Sequence, residues 1–138
     1  SFETIKIFFL RFTNCNEGKM PEKNVFKIDE IPFQDVEWGT SKVIVGPDAN
    51  GSEHLRAGIT EYDPETPHEP HSHPGQEEII WVLSGEGYTE SHGVKMELKP
   101  GLVAYIPSGM EHKTAAVGGK MTAIIMKSPV KDSSGVVS

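Results

Sequence analysis

Cysteine is almost absent from the sequence, since Cys15 is the only one among 138 residues. A single thiol cannot form a disulfide within the chain, and it cannot supply a cluster of thiolate metal ligands. Cysteines are reactive only in electropositive, partly exposed surroundings, so we expect Cys15 to be an incidental thiol. The lack of a disulfide framework favours the cytoplasm as the compartment.

Basic residues and long apolar runs are also scarce. Lysine and arginine total 13 against 20 aspartates and glutamates, which leaves a net charge of −7. Domains that bind nucleic acid usually carry a basic face, so this balance argues against nucleic acid as a partner. No stretch of about 18 apolar residues is present, which argues against a membrane-spanning helix. The partner that the sequence favours is therefore a small molecule.

The first 19 residues differ in character from the rest of the chain. Their apolar centre, IFFLRF, is too short for the hydrophobic region of a signal peptide with a cleavage site. We predict that residues 1–19 form an N-terminal extension, for which two origins are open. Either Met20 is the natural start, or a strand built around residues 5–12 pairs with the barrel edge or with a second subunit. Residues 20–130 are predicted to form the domain, and residues 131–138 a loose tail.

Glycine and proline, by contrast, are frequent, with 14 and 10 copies in a chain that is 36% apolar. They indicate many turns and an all-β plan, and no helical pattern follows Met20. GPDANG at residues 46–51 predicts a turn. Strands are predicted at residues 42–45, 54–62, 78–83, 87–91, 94–98, 102–106, 113–117 and 121–127. Short strands at this spacing are typical of a sandwich or a small barrel.

Residues 79–83, with the sequence IIWVL, are apolar at odd and even positions alike. Successive side chains of a strand point to opposite faces, so both faces of this strand are predicted to be covered. One face can look into a barrel, while the other needs a second sheet or a second subunit. Trp81 and Tyr105 are candidates either for the wall of a cavity or for that subunit contact.

Three of the six histidines lie between residues 68 and 73. His71 and His73 are two residues apart, so in a strand their imidazoles project from the same face. Glu78 follows a Pro-Gly turn signal, and it can return a carboxylate to the same space. His112, at the entry to another strand, is the candidate for a fourth ligand. Imidazoles combined with a carboxylate suit iron, manganese, nickel, zinc or copper.

The histidine cluster resembles the first sequence motif of the cupin superfamily. That motif reads glycine, five residues, His-X-His, three or four residues, glutamate, six residues, glycine. His71 and His73 match its histidines, and Glu78 matches its glutamate with six residues before Gly85. Glu77 satisfies the shorter spacing but leaves seven residues before Gly85, so Glu78 is the preferred ligand.

The second cupin motif follows after the short gap that is typical of small single-domain cupins. It reads glycine, five residues, Pro-X-Gly, two residues, histidine, three residues, asparagine. Gly101, Pro107, Gly109 and His112 match it in order, and the likeness covers residues 66–116. The chain departs from the two motifs at turn or neighbouring positions that are not ligands, namely Glu65, Leu102 and Ala116.

The resemblance implies an all-β double-stranded β-helix, or jelly-roll barrel, as a single cupin domain. It implies that His71, His73, Glu78 and His112 bind one divalent transition metal, which can be iron, manganese, nickel, zinc or copper. The remaining coordination positions would be open to water, dioxygen or substrate. Cupins of this size are usually dimers, so the resemblance also implies a homodimer.

Three further residues are candidates for the pocket beside the metal. Arg56, in a predicted strand, can meet a substrate carboxylate or can point outward. His68 is either a surface histidine or a proton carrier near the metal, and Tyr105 is the third candidate. The resulting hypothesis is a metal-dependent dioxygenase or isomerase/lyase acting on a small organic molecule. The alternative is a module that binds or senses a small molecule without catalysis, and a storage role ranks last.

Overall fold

The computed structural model describes residues 24–64, residue 66 and residues 69–130. The predicted N-terminal extension, residues 1–19, and the predicted tail, residues 131–138, lie outside the described residues. The domain boundaries at residues 20 and 130 therefore stay a prediction. Within the described part, no helix is long and apolar enough to cross a membrane.

Nine strands are found in the described ranges, together with one short helix, α1, at Pro47–Asn50 and a 3-10 turn at Ile28–Glu30. The strands are β1 Gln34–Val36, β2 Gly39–Val45, β3 Arg56–Tyr62, β4 Glu77–Ser84, β5 Gly87–Ser91, β6 Val94–Leu98, β7 Val103–Ile106, β8 Lys113–Ala116 and β9 Met121–Ser128. They form two antiparallel sheets, one in the order β1-β2-β3-β9-β4-β7 and one in the order β6-β5-β8. The predicted all-β jelly-roll barrel is confirmed.

One sequence prediction is corrected by this architecture, and one strand was not predicted. The GPDANG segment contains a one-turn helix rather than a simple turn, because the Asn50 side chain accepts a hydrogen bond from the Gly46 amide at 3.1 Å. The helix ends at Gly51, which has a φ of 72°. Strand β1 was not predicted, since its three residues are mostly polar and it exists through pairing with β2.

Side chains of the larger sheet point alternately to its inner and outer faces along each strand. Glu78, Ile80 and Val82 are buried on the inner side of β4, and Trp81 lies exposed on the other side. The prediction that both faces of β4 are covered is therefore correct only for the inner face within the described residues. On the outer side of β2, Lys42 is buried because its ammonium donates to the Ile28 carbonyl at 2.8 Å.

The interior of the barrel has two ends that we name by what fills them. The packed end is a buried apolar cluster of Tyr62, Ile80, Val82, Leu98, Ile106, Ala116, Met121 and Ala123. The hollow end is a cavity of about 220 Å³, reached by side chains that include Arg56, Glu78 and Lys127. The hollow end is where the predicted metal ligands lie.

Candidate functional site

The four residues that match the cupin ligands converge in space. His71, His73, Glu78 and His112 each offer one ligand atom, and these atoms all lie within 4.8 Å of one another. His71 and His112 come from segments that are 41 residues apart in the sequence. The fold therefore assembles the cluster from both motifs.

Backbone hydrogen bonds join the two motifs directly. The amide of His71 donates to the carbonyl of His112, and the amide of His112 donates to the carbonyl of His71, both at 2.9 Å. The carbonyl of His73 accepts from the Gly109 amide at 3.1 Å. The Pro-Ser-Gly turn of the second motif is thus fastened against the His-Ser-His segment of the first.

The proton positions on two of the imidazoles follow from their backbone partners. Nδ1 of His71 lies 2.9 Å from the Glu69 carbonyl oxygen, and Nδ1 of His112 lies 2.9 Å from the Met110 carbonyl oxygen. A carbonyl oxygen only accepts hydrogen bonds, so each Nδ1 carries the proton and donates. In a neutral ring the lone pair is then on Nε2, which is the form in which histidine binds a metal.

Glu78 lies at the centre of the cluster. Its Oε2 is 3.2 Å from Nε2 of His73 and 3.2 Å from Nε2 of His112, and Glu78 is only 5% exposed. These contacts are within ion-pair distance but do not have hydrogen-bond geometry. Among the described residues, Nε2 of His73 and Oε2 of Glu78 are therefore buried without a hydrogen-bond partner. Buried polar atoms are almost always satisfied, so this pair fits residues that hold a divalent metal.

The electrostatics of the cluster favour the metal-binding protonation state for Glu78 and His71 but not for His112. Burial lowers the pKa of His112, but the adjacent Glu78 carboxylate and the Met110 carbonyl outweigh it and raise the pKa. Burial alone raises the pKa of the Glu78 carboxyl, but His112, His73 and the charge of Lys127 outweigh it and lower the pKa below its usual range. Burial, together with the neighbouring imidazoles, lowers the pKa of His71. The carboxylate is therefore ionised near neutral pH, and His71 is neutral.

Glu77 and Tyr105 lie on the opposite face of the sheet. Glu77 is exposed and accepts a hydrogen bond from the Tyr105 hydroxyl, while the adjacent Glu78 faces the cluster. Tyr105 is 56% exposed and does not line the cavity. Its predicted place in the pocket is corrected, because alternation along β7 directs Ala104 and Ile106 inward.

The remaining predicted site residues are placed as follows. Arg56 lines the cavity of the hollow end rather than pointing outward. His68 lies outside the described residues, so its role stays a prediction. Sequence reasoning missed Lys127 and Tyr62, which also line the cavity. The signal was available in part, because Tyr62 has the same strand parity as Arg56.

Comparison with known proteins agrees with this geometry. The family model described as a cupin domain matches residues 58–126, which is half of the chain. Among curated proteins, none matches the sequence. The structure of KdgF from Halomonas sp. is 29% identical, with a TM-score of 0.68 over 78% of this chain and 95% of that one.

Two further solved structures share the fold at lower identity. One, from Thermotoga maritima, is described as a predicted oxalate decarboxylase; it is 20% identical, with a TM-score of 0.67 over 77% of this chain and 99% of its own. The other is the polyketide cyclase RemF from Streptomyces resistomycificus, also 20% identical, with a TM-score of 0.66 over 76% of this chain and 78% of its own. With both motifs joined in one barrel and a family model matching half of its length, the chain belongs to the cupin family.

Proposed function

We propose that the chain is a metal-dependent enzyme that acts on a small organic molecule, as a dioxygenase or an isomerase/lyase. The observation that carries the proposal is the cluster of four ligand atoms within 4.8 Å, three of whose residues line a cavity of about 220 Å³. Structural neighbours described as a predicted oxalate decarboxylase and a polyketide cyclase are in keeping with a small-molecule substrate.

The proposal assigns His71, His73, Glu78 and His112 to hold one divalent metal. When bound, such a metal polarises an oxygen of the substrate or binds dioxygen beside it. The Nδ1–H groups of His71 and His112 remain on backbone carbonyls, which keeps both rings in a fixed orientation.

We assign Tyr62 the role of a hydrogen-bond donor that stays protonated beside the cluster. It lines the cavity, and burial, followed by the nearby Glu78 charge, raises the pKa of its hydroxyl. The phenol therefore keeps its proton at neutral pH and can donate a hydrogen bond to a substrate oxygen. It cannot serve there as a base.

The experiment that tests the metal site is metal content by plasma mass spectrometry on untagged protein. We expect near one equivalent of iron, manganese, nickel, copper or zinc in the parent and none in His73→Ala/His112→Ala. The matched control is His54→Ala/His92→Asn, which also removes two histidines but leaves the cluster intact. Asparagine is chosen because His92 has a φ of 50°, a conformation that asparagine tolerates. A parent that takes up no metal on reconstitution overturns the proposal.

Turnover by the metal-loaded protein tests the catalytic part separately. A panel of diketones, flavonols, keto acids and uronates, assayed with and without oxygen, separates dioxygenase from isomerase or lyase activity. If no compound is turned over but one stabilises the protein in a thermal-shift assay, the binding module is the better description.

We also propose that a second copy of the chain covers the outer face of β4 and β7. Trp81 and Val103 are paired across these strands and are 47% and 54% exposed, so two large apolar side chains lie together in contact with water. Exposed apolar patches of this kind mark interaction sites. The outward side of β4, which is apolar in sequence, supports the predicted homodimer.

Light scattering in solution at micromolar concentration tests the homodimer. We expect a dimer mass for the parent and a monomer mass for Trp81→Glu. The matched control is Val94→Glu on β6 of the other sheet, where Val94 is also exposed, and it should remain a dimer. A monomeric parent overturns this proposal and leaves the metal site unaffected.

A further inference from the structure

A row of three side chains crosses the inner face of the larger sheet at the hollow end. Arg56 on β3 is paired with Lys127 on β9, and Lys127 is paired with Glu78 on β4. Neighbouring strands are about 4.8 Å apart, so Lys127 is one spacing from Glu78 and Arg56 is two spacings, or roughly 10 Å, away. All three residues line the same cavity.

The charges in this cavity are opposite to those of the chain as a whole. The chain has a net charge of −7, yet among the residues that the structure describes Glu78, which belongs to the cluster, is the only carboxylate that lines the cavity. Surface lysines such as Lys99 and Lys113 are within ion-pair distance of carboxylates. Among residues 24–64, 66 and 69–130, by contrast, Arg56 has no ion pair with a carboxylate. The row therefore presents positive charge to the space beside the metal ligands.

The walls of the cavity limit what that charge can bind. Val43 and Ile125 supply apolar surface, and Ser41 and Thr60 supply hydroxyls whose oxygens lie 3.0 Å apart. The cavity volume of about 220 Å³ is below the usual range of ligand pockets, which favours a short ligand. A guanidinium beside a short apolar wall is suited to a carboxylate, since its two parallel N–H groups match the two carboxylate oxygens.

We propose that the ligand of this site is a short organic acid, with its carboxylate held by Arg56 and Lys127. A second oxygen function on the same molecule, such as a hydroxyl, a keto group or another carboxylate, then faces His71, Glu78 and His112. This second contact rests on the metal-dependent function proposed above, whereas the carboxylate contact does not. Arg56 fixes the orientation of the acid, and Lys127 adds a point charge between the two ends.

Isothermal titration with succinate and glutarate, each compared with its neutral diamide, tests this proposal. Both the metal-loaded and the metal-free parent are titrated, so that the cations are probed with and without the metal. We expect the parent to bind at least one diacid about tenfold more tightly than the diamide, which has no carboxylate. Arg56→Gln is expected to weaken diacid binding by about 10- to 100-fold and to abolish the preference, because a charge-assisted pair of hydrogen bonds is lost.

Two further variants make the test specific. Lys127→Gln is expected to weaken diacid binding less than Arg56→Gln, since a lysine offers no planar pair of donors. Lys99→Gln, which removes an exposed lysine outside the cavity, should bind like the parent. Metal content and the melting temperature of Arg56→Gln should match those of the parent, which shows that folding and the cluster are intact.

The outcomes separate this proposal from the metal-dependent function. A parent that takes up no metal on reconstitution but still prefers diacids through Arg56 supports the acid site and overturns the metal-dependent function. Equal binding of diacid and diamide, no binding of either diacid at millimolar concentration, or an Arg56→Gln variant that binds like the parent overturns the acid site. Metal content in the same samples reports on the metal independently.

Discussion

The packed end and the hollow end of the barrel are built from the same strands but differ in what they contain. On β9, Met121 and Ala123 are fully buried in the packed end, whereas Lys127, on the same face, lines the cavity. On β4, Val82 and Ile80 likewise lie in the packed end, whereas Glu78 belongs to the cluster at the hollow end. One set of strands can therefore supply stability at one end and a polar site at the other, because pairing depends on the backbone and filling depends on each side chain.

Replacement of Met121 by alanine is expected to have the largest effect, since it empties the packed end. Met121 is fully buried, and such replacements cost about 2–5 kcal/mol in the free energy of unfolding. Ile125→Ala is the matched variant on the same strand and face, and it borders the cavity. It should cost less than half as much, because Ile125 borders the cavity and the atoms that are removed lose less packed surface than those of Met121. Urea unfolding measures both, and equal losses would remove the distinction between the ends.

Removal of the metal is expected to lower the free energy of unfolding through the hollow end, by an amount that does not depend on the packed end. A metal that binds only the folded chain adds about 2.7 kcal/mol at 100 times its dissociation constant. Unfolding measured with and without a chelator should show a difference of this order in the parent and in Met121→Ala. The difference should disappear in Glu78→Gln. A parent that is indifferent to the chelator would contradict a stabilising metal.

The turn at Gly85 sharpens the comparison at the packed end. Gly85 and Gly118 share a φ of +76°, but a Cβ at Gly85 would lie 2.1 Å from the Lys120 carbonyl oxygen, and at Gly118 it would meet nothing within 4 Å. Gly118→Ala is expected to cost about 1 kcal/mol for the left-handed conformation alone. Gly85→Ala should cost about 2 kcal/mol or more, since β9 must also move at Met121. Similar losses in thermal unfolding would show that the close approach is easily relieved.

The smallest effect is expected on the outer face. Tyr105→Phe removes an exposed hydroxyl that donates to Glu77, and it should change the free energy of unfolding by less than about 0.5 kcal/mol. Ile106→Val, one residue further on and buried on the inner face, should cost about 0.5–1.5 kcal/mol. Both are measured by urea unfolding with metal content as a check. A larger loss for Tyr105→Phe would mean that the proposed second copy contacts the Tyr105 hydroxyl as well as Trp81 and Val103.

Local features of the fold were predictable where the signal lies within a few residues. The hairpin of β5 and β6 was predicted with its observed bounds, because the two-residue connection His92-Gly93 is a local turn signal. In the structure both connecting residues have positive φ, as such a turn requires. Strand β1 could not be predicted, since it is mostly polar and depends on β2 for its hydrogen bonds. The burial of Lys42 likewise depends on a contact with Ile28, 14 residues away.

The sequence by itself determined the all-β plan, the two cupin motifs and the choice of Glu78 over Glu77, because turn chemistry, spacing and strand alternation are local properties. Only the tertiary structure decided that Arg56 faces the cavity, that Lys127 lies between Arg56 and Glu78, and that Tyr105 faces outward. The physical reason is that alternation specifies which residues share a face, but not which face is inside. The register between strands that are distant in the sequence settles that question, because a shift of one residue would move every side chain of a strand to the opposite face.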